Sequence, residues 1–404
     1  MKINDPIVIA GFGPSGAVLA LSLAKAGVPT LLLEREPELP IDLRASTFHP
    51  PSLDMIQELD ASVHQQLIDK GLIADRYQYR DRRTGEVATF DMNMLADETK
   101  NPFRLQLEQY ELTYIIHEKL KSYGCVDIRF SHEVKSFSER DGGVDVLVAT
   151  PNGEQQFRGA FVVGAEGARS NVRKSANIEF QGFTYDEKFL VVSTDFAFED
   201  VFDDFSYVNY VSDPEEWCVI LRTEKLWRVL FPTTPEDLKD EERLLSDDFI
   251  QERLHRLHNK DGDFNIGHRT LYGVNQRVAN TYHQGRMVLM GDACHINNPL
   301  GGMGMNGGLH DAFNLAERLI RLAQGGGNHQ AEFEHYDRQR KDLAVRFVQE
   351  HTINNKKLME STDDDVQAKR QKMFMDTAAD PVKAKAFLME RAMINCVRES
   401  FSAP

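Results

Sequence analysis

The chain has 404 residues, of which 41% are hydrophobic and 27% charged, and carries a formal net charge of −16 at pH 7. This is globular composition, and the length calls for two domains or one elaborated α/β domain. No dense basic stripe is present, which excludes a nucleic-acid surface and disfavours anionic lipid; no apolar run approaches the roughly 20 residues of a membrane span.

Met1-Lys2-Ile3-Asn4-Asp5-Pro6 runs straight into a strand and leaves no room for a signal peptide. Cys125, Cys218, Cys294 and Cys396 have no paired spacing, which fits a reducing compartment. A cytoplasmic monomer or homodimer is expected. Ile7-Val8-Ile9-Ala10 reads as a buried parallel strand. A glycine-rich turn follows, then a helix from Ser15 to about Ala26, a stop at Gly27, and a second strand at Thr30-Leu31-Leu32-Leu33. This is a βαβ unit.

Residues from Gln109 to about Gly124 read as a helix, with Asp127-Ile128-Arg129-Phe130 as a strand after it. Val134–Phe137 and Val144–Ala149 form strands around the turn Asp141-Gly142-Gly143. Phe161-Val162-Val163 and Met287-Val288-Leu289-Met290 are apolar strands that also end in glycine. Residues 76–104 and 186–275 alternate apolar and polar positions, which predicts an antiparallel sheet with one solvated face. From about residue 330 the pattern is helical and charged, broken at Asp380-Pro381, with Asp363-Asp364-Asp365 as a solvated loop. The expected fold class is α/β. A Rossmann-type nucleotide domain takes residues 1–75, 105–185 and 276–350. A mainly antiparallel β-sheet domain takes 76–104 and 186–275, and a C-terminal helical segment takes 351–404.

Three constellations carry chemistry. Gly11-Phe12-Gly13-Pro14-Ser15-Gly16 is a G-x-G-x-x-G between strand and helix, spaced for a tight turn, a close approach to pyrophosphate and helix–strand packing. Phosphates then meet unpaired N–H groups at the positive helix end. Glu34 closes the second strand, where its carboxylate accepts ribose hydroxyls and repels a 2′-phosphate, so the site suits FAD or NAD rather than NADP. The second is Gly291-Asp292-Ala293-Cys294-His295 followed by Pro299-Leu300-Gly301-Gly302-Met303-Gly304-Met305-Asn306-Gly307-Gly308. Glycines this dense bring backbone N–H groups to a ligand edge, and the following helix dipole stabilises negative charge there. Asp292 is placed to bind a ribityl or pyrophosphate-side hydroxyl. The third is Gly164-Ala165-Glu166-Gly167-Ala168-Arg169-Ser170, with Ser170 as a capping residue.

Together, in this order over residues 7 to about 320, the three resemble the single-component FAD-dependent aromatic hydroxylases of the p-hydroxybenzoate hydroxylase type. That resemblance makes the first domain an FAD-binding domain and the second a substrate domain. Gly11, Gly13, Ser15, Gly16, Glu34 and Arg35 then resemble ADP-binding positions. Arg44 matches an arginine along the flavin and its phosphates, and Gln109 a glutamine beside the flavin. Val134 falls at a backbone contact to adenine, and Asp292 at the ribityl and pyrophosphate site. Pro299, Gly304, Met305 and Asn306 fall where the family lines the isoalloxazine. Glu166 departs from the family's aspartate, and the extra methylene bears on the nicotinamide step.

The resemblance implies bound FAD, transient NADH or NADPH, and O₂ as partners. One oxygen atom would pass to a small aromatic or heteroaromatic ring through a flavin C4a-hydroperoxide. No metal set is expected: His255 and His258 lack a ligand pattern, and His295 reads at least as readily as a packed, hydrogen-bonded imidazole as it does as a catalytic base. Tyr207, Tyr210, Trp217, Arg222 and Arg228 are candidates for the pocket wall, with ordinary packing as the competing role for each. A flavin oxidoreductase without oxygen insertion and a non-catalytic FAD-binding sensor are the alternatives. A halogenase is disfavoured, because Trp227 stands outside any W-x-W-x-I-P motif.

Overall fold

The computed structural model describes residues 5–41, 45–360 and 363–402. The glycine-ended apolar runs pair as one sheet. Strand Ile7–Ala10 lies parallel to Phe161–Gly164 on one side (Ile7 opposite Phe161) and to Thr30–Leu33 on the other (Ile7 opposite Thr30). Met287–Leu289 and Val126–Arg129 extend it outward in parallel, and His283–Gln284 adds an antiparallel edge. The three middle strands are buried at every position, which is why they read as continuous apolar runs rather than alternations. Helix Pro14–Lys25 leaves the first strand with proline at its start and packs against the 21-residue helix Met303–Ala323. A three-stranded meander, Glu133–Arg140, Gly143–Thr150 and Gly153–Gly159, is inserted before the Phe161 strand.

The alternating segments form an eight-stranded sheet, antiparallel except where Val208–Ser212 runs parallel to Arg76–Asp81. Its two long central strands, Phe180–Thr194 and Ile266–Ala279, run continuously through positions 185 and 275, where the sequence reading placed domain boundaries. Arg104–Gln106 belongs to a separate small sheet with Thr47–Phe48 and Leu72–Ala74.

The expectation of one solvated sheet face is corrected. Phe189, Val191, Tyr210, Val219 and Leu230 face one way, onto a cluster that includes Phe374 and Leu388 of the C-terminal helices. Their neighbours Leu190, Val192, Ile220, Trp227 and Val229 face the other way and are covered by Phe249, Ile250 and Leu254 of helix Asp247–Leu257. The period of two correctly assigns residues to faces, but it cannot say what lies on the second face. The expected loop Asp363-Asp364-Asp365 is likewise corrected: Asp364 and Asp365 begin helix Asp364–Ala379, and the exposed Asp363 caps it, its carboxylate accepting from the N–H groups of Asp365 and Val366. Asp380 caps Pro381–Arg391 in the same way, at the predicted break. The four cysteines are free thiols. Among the described residues no helix is long and apolar enough to cross a membrane.

Candidate functional site

The three glycine loops meet at one cavity of about 1010 Å³, which runs from the end of the parallel sheet to the inner face of the eight-stranded sheet. The loops are packed backbone to backbone, so glycine is a steric necessity at the junctions. Gly11 has φ +101°, and a Cβ there would lie 2.5 Å from the Ala165 carbonyl oxygen of the middle loop. A Cβ on Gly16 would overlap the Gly11 carbonyl oxygen, and one on Gly308 would lie 2.5 Å from Ser15 Oγ. Gly13 is different: nothing of the protein lies within 4 Å of its Cβ position, and it lines the cavity. In the first motif Gly11 thus lets the middle loop approach, Gly16 lets the helix pack on its own turn and strand, and Gly13 leaves room for a ligand.

Two helix N-termini open onto this space, Gly13–Ser15 and Gly302–Met305, and neither has a side-chain cap. Helices Pro50–Leu59 and Gln109–Leu120 also lack a side-chain cap, whereas Asp60, Ser246, Asn328 and Asp380 cap four others. Uncapped first turns present N–H donors and positive dipole ends, which suit a pyrophosphate at the first and an electron-rich ring edge at the second. Glu34 is buried beside the first of them. Its carboxylate accepts from Phe12 N at 2.8 Å and Glu36 N at 3.0 Å, so the backbone locks it at the cavity wall. Its remaining lone pairs suit ribose hydroxyls. These residues fit a flavin dinucleotide.

Of the residues singled out from sequence, Gly11, Gly13, Ser15, Glu34, Arg35, Gln109, Val134, Asp292, Pro299, Gly304 and Met305 line the cavity. Gly16 lies behind the wall, packed on Gly11 and Ile9 of its own turn and strand. Asn306 is fully buried and spends its amide on packing. Its Oδ1 accepts from His49 N at 2.9 Å, while Nδ2 donates to Thr47 O and Gly302 O. Arg44 lies outside the described residues. Glu166 turns back into its own loop, accepting from Ser170 Oγ at 2.7 Å and Val172 N at 2.9 Å. Burial pushes its carboxyl pKa up, and these bonds only partly oppose the rise. Ser170 caps Asn171–Ser175 as expected.

Two clamps were invisible in the sequence. Arg173 donates to Ala168 O and to Ala293 O, both at 2.8 Å, tying the middle loop to the third. Asp311 accepts from Gly291 N at 3.0 Å, His295 Nε2 at 2.7 Å and Arg340 Nε at 2.6 Å, all deep in the protein. Burial opposes the Asp311 charge, but His295 and Arg340 outweigh it and hold the carboxyl below the usual range. Cys294, His295 and Asp311 place their ligand atoms within 4.8 Å of one another. Burial, reinforced by Asp311, holds the Cys294 thiol protonated, and Arg340 occupies the other Asp311 oxygen, so this is a hydrogen-bonded strut rather than a ligand set.

At the far end the cavity reaches Val191, Val219, Leu221, Leu230 and Val274, an apolar floor. Of the candidate wall residues, Tyr210 and Arg228 line it; Tyr207, Trp217 and Arg222 do not. Arg228 is buried and paired with Glu108 at 2.7 Å. Arg104, Thr47, His268 and Tyr272 also line it and carried no sequence signal; Arg104, beside Leu105, reads from the sequence as solvent-facing.

A family model described as FAD binding domain matches residues 5–351. The chain is 29% identical over 404 residues to para-nitrophenol 4-monooxygenase of Pseudomonas sp. (strain WBC-3), covering 98% of this chain and 97% of that one. It is 30% identical to 6-hydroxy-3-succinoylpyridine 3-monooxygenase HspB of Pseudomonas putida (strain DSM 28022 / S16), over 81% and 82% of the two chains. The crystal structure of p-nitrophenol 4-monooxygenase PnpA from Pseudomonas putida DLL-E4 superposes with a TM-score of 0.89 at 28% identity, over 98% and 99% of the chains.

Proposed function

The chain belongs to the FAD-binding-domain family, among the single-component FAD-dependent aromatic hydroxylases, and from that premise we propose that it hydroxylates a small phenol with NAD(P)H and O₂. The observation that supports this reading is the continuity of the cavity. A dinucleotide-shaped end walled by three glycine loops opens directly onto an apolar floor of the second sheet. Similarity to the para-nitrophenol monooxygenases over nearly the whole chain supports a substrate of that size.

When bound, FAD takes hydride from NAD(P)H and supplies one oxygen atom of O₂ to the substrate ring. The chain's own residues do the rest. Gly11, Gly13, Ser15 and the uncapped helix start hold the pyrophosphate, and Glu34 holds the adenosine ribose. Gln109, Asp292, Pro299, Gly304 and Met305 wall the middle of the cavity. The second uncapped N-terminus, behind Gly302, offers a positive dipole end to negative charge. Val191, Leu230 and Val274 keep water from the reacting ring. Domain limits follow the sheets: the parallel sheet with its meander carries the cofactor, and the eight-stranded sheet carries the substrate.

The test uses purified protein with 4-nitrophenol and other phenols. Substrate-stimulated NAD(P)H oxidation, with one ¹⁸O atom from labelled O₂ in the product, is the expected result. Stimulated oxidation without any oxygenated product favours an oxidoreductase that inserts no oxygen. FAD binding with no stimulation by any ligand favours a sensor.

A further inference from the structure

The sheet-side end of the cavity contains a positive charge that the surrounding protein leaves uncompensated. Arg104 is 3% exposed and lines this end. Its guanidinium lies 4.3 Å over the Tyr77 ring, Nη1 donates to the Tyr210 hydroxyl at 3.5 Å, and Nε has no partner. Among the described residues no carboxylate pairs with it. Arg228, Arg253 and Arg340 are similarly buried, and each holds at least one. Arg173 satisfies its guanidinium with two backbone carbonyls, and Arg104 has none.

The wall around Arg104 is one-sided in charge. The carboxylates that line the cavity are Glu34, Glu36, Glu133, Glu166 and Asp292, all on the dinucleotide side or the third loop. The strands of the substrate-side floor contribute no carboxylate at all. His49 does not alter the balance: burial first, then Arg104, pushes its pKa well below the ordinary value and keeps it neutral. A desolvated guanidinium is costly unless an anion comes within reach. Because the Tyr210 oxygen accepts from Arg104, its phenolic hydrogen is free to donate into the cavity.

Resting on the aromatic-hydroxylase reading above, we propose that Arg104 is the charge-selecting residue of the substrate end. The ring enters as an oxyanion, a phenolate or a ring carboxylate. That oxygen sits on the Arg104 guanidinium and accepts from Tyr210, while the ring packs on Val191 and Leu230. A bound phenolate is also the ring form richest in electrons at its ortho and para carbons.

The experiment is equilibrium titration of the holoenzyme, followed by the visible spectrum of its flavin. Two probe pairs are compared, 4-nitrophenolate with 4-nitroanisole and 4-hydroxybenzoate with its methyl ester. In at least one pair the anion is expected to bind at least about tenfold more tightly, as a charge-assisted hydrogen bond implies. Arg104→Gln reduces that ratio to about one and Arg104→Lys restores part of it, both at unchanged flavin content. The pair that shows the preference tells phenolate from carboxylate. A preference that survives Arg104→Gln overturns the proposal, as does equal binding within both pairs by the unaltered enzyme. Loss of flavin from both variants overturns it too, by placing Arg104 at the cofactor. If the unaltered protein holds no flavin, the family-level reading fails instead, and the same ratios are then read by equilibrium dialysis.

Discussion

The carboxylate of Asp311 accepts a hydrogen bond from the backbone N–H of Gly291 at 3.0 Å, joining the middle of the long helix to the turn that carries Asp292. Gly291 has φ +59°, and that N–H is the donor nearest the start of the turn. The same carboxylate holds His295 and Arg340, and Arg340 also donates to Ser400 Oγ in the last helix. The geometry of the third loop is thus set by buried charge behind it, linked to helices far along the chain.

Breaking that strut should cost both stability and cofactor. Asp311→Asn leaves a buried guanidinium facing an amide, and a loss of about 3 kcal/mol is expected, at the lower end of what breaking a buried pair costs. Urea unfolding of the FAD-saturated protein measures it. Arg340→Met in the same chain should be less than additive with Asp311→Asn, because the uncompensated charge is then gone. A cost below about 1 kcal/mol for the single variant would refute the strut.

The glycines of the first loop should separate folding from binding. Gly11→Ala meets the Ala165 carbonyl at a positive φ, and Gly16→Ala meets the Gly11 carbonyl. Both are expected to lower the yield of folded protein. Gly13→Ala meets only open cavity, so its circular dichroism should match the parent while FAD is retained more weakly. Equal FAD affinity in Gly13→Ala would show that the pyrophosphate lies elsewhere.

Glu34→Ala removes the acceptor of two backbone N–H groups and the proposed acceptor of the ribose. Loss of such bonds at about 1–3 kcal/mol predicts at least tenfold weaker FAD binding, read from flavin fluorescence quenching. Glu34→Gln keeps one acceptor oxygen and should fall between the two. Parent-like affinity in both variants would count against the assignment.

Stability should fall with pH well above the carboxylate range. Burial first, and Arg340 second, push the His310 pKa to about 3, and His49 is also held well below its ordinary value. An unfolded histidine takes its proton near pH 6.5, at roughly 1.4 kcal/mol per pH unit of difference. Each contribution is therefore complete above about pH 6.5 and is lost progressively as pH falls toward the folded value. Asp311, whose pKa is depressed, adds its own loss only below about pH 4. His310→Gln should flatten the decline in unfolding free energy between about pH 6.5 and 4.5; an unchanged slope would mean that His310 is not buried neutral.

The amino-acid sequence by itself determined the frames that depend on near neighbours. The strand–glycine–helix order around Gly11 and Gly291, the acid at Glu34, the cap at Ser170 and the break at Asp380-Pro381 all rest on spacing within a few turns, where backbone sterics and helix dipoles act. Only the tertiary structure decided what Arg104, Asn306 and Asp311 do. Asn306 meets His49 across 257 positions, and Arg104 meets Tyr210 across 106. Local periodicity tells which way a side chain faces but not what faces it. A polar residue beside a leucine looks solvated until folding brings a second wall against it. The same physics hid the covered outer face of the large sheet, since burial there is decided by a helix, Asp247–Leu257, that lies outside each strand's own sequence.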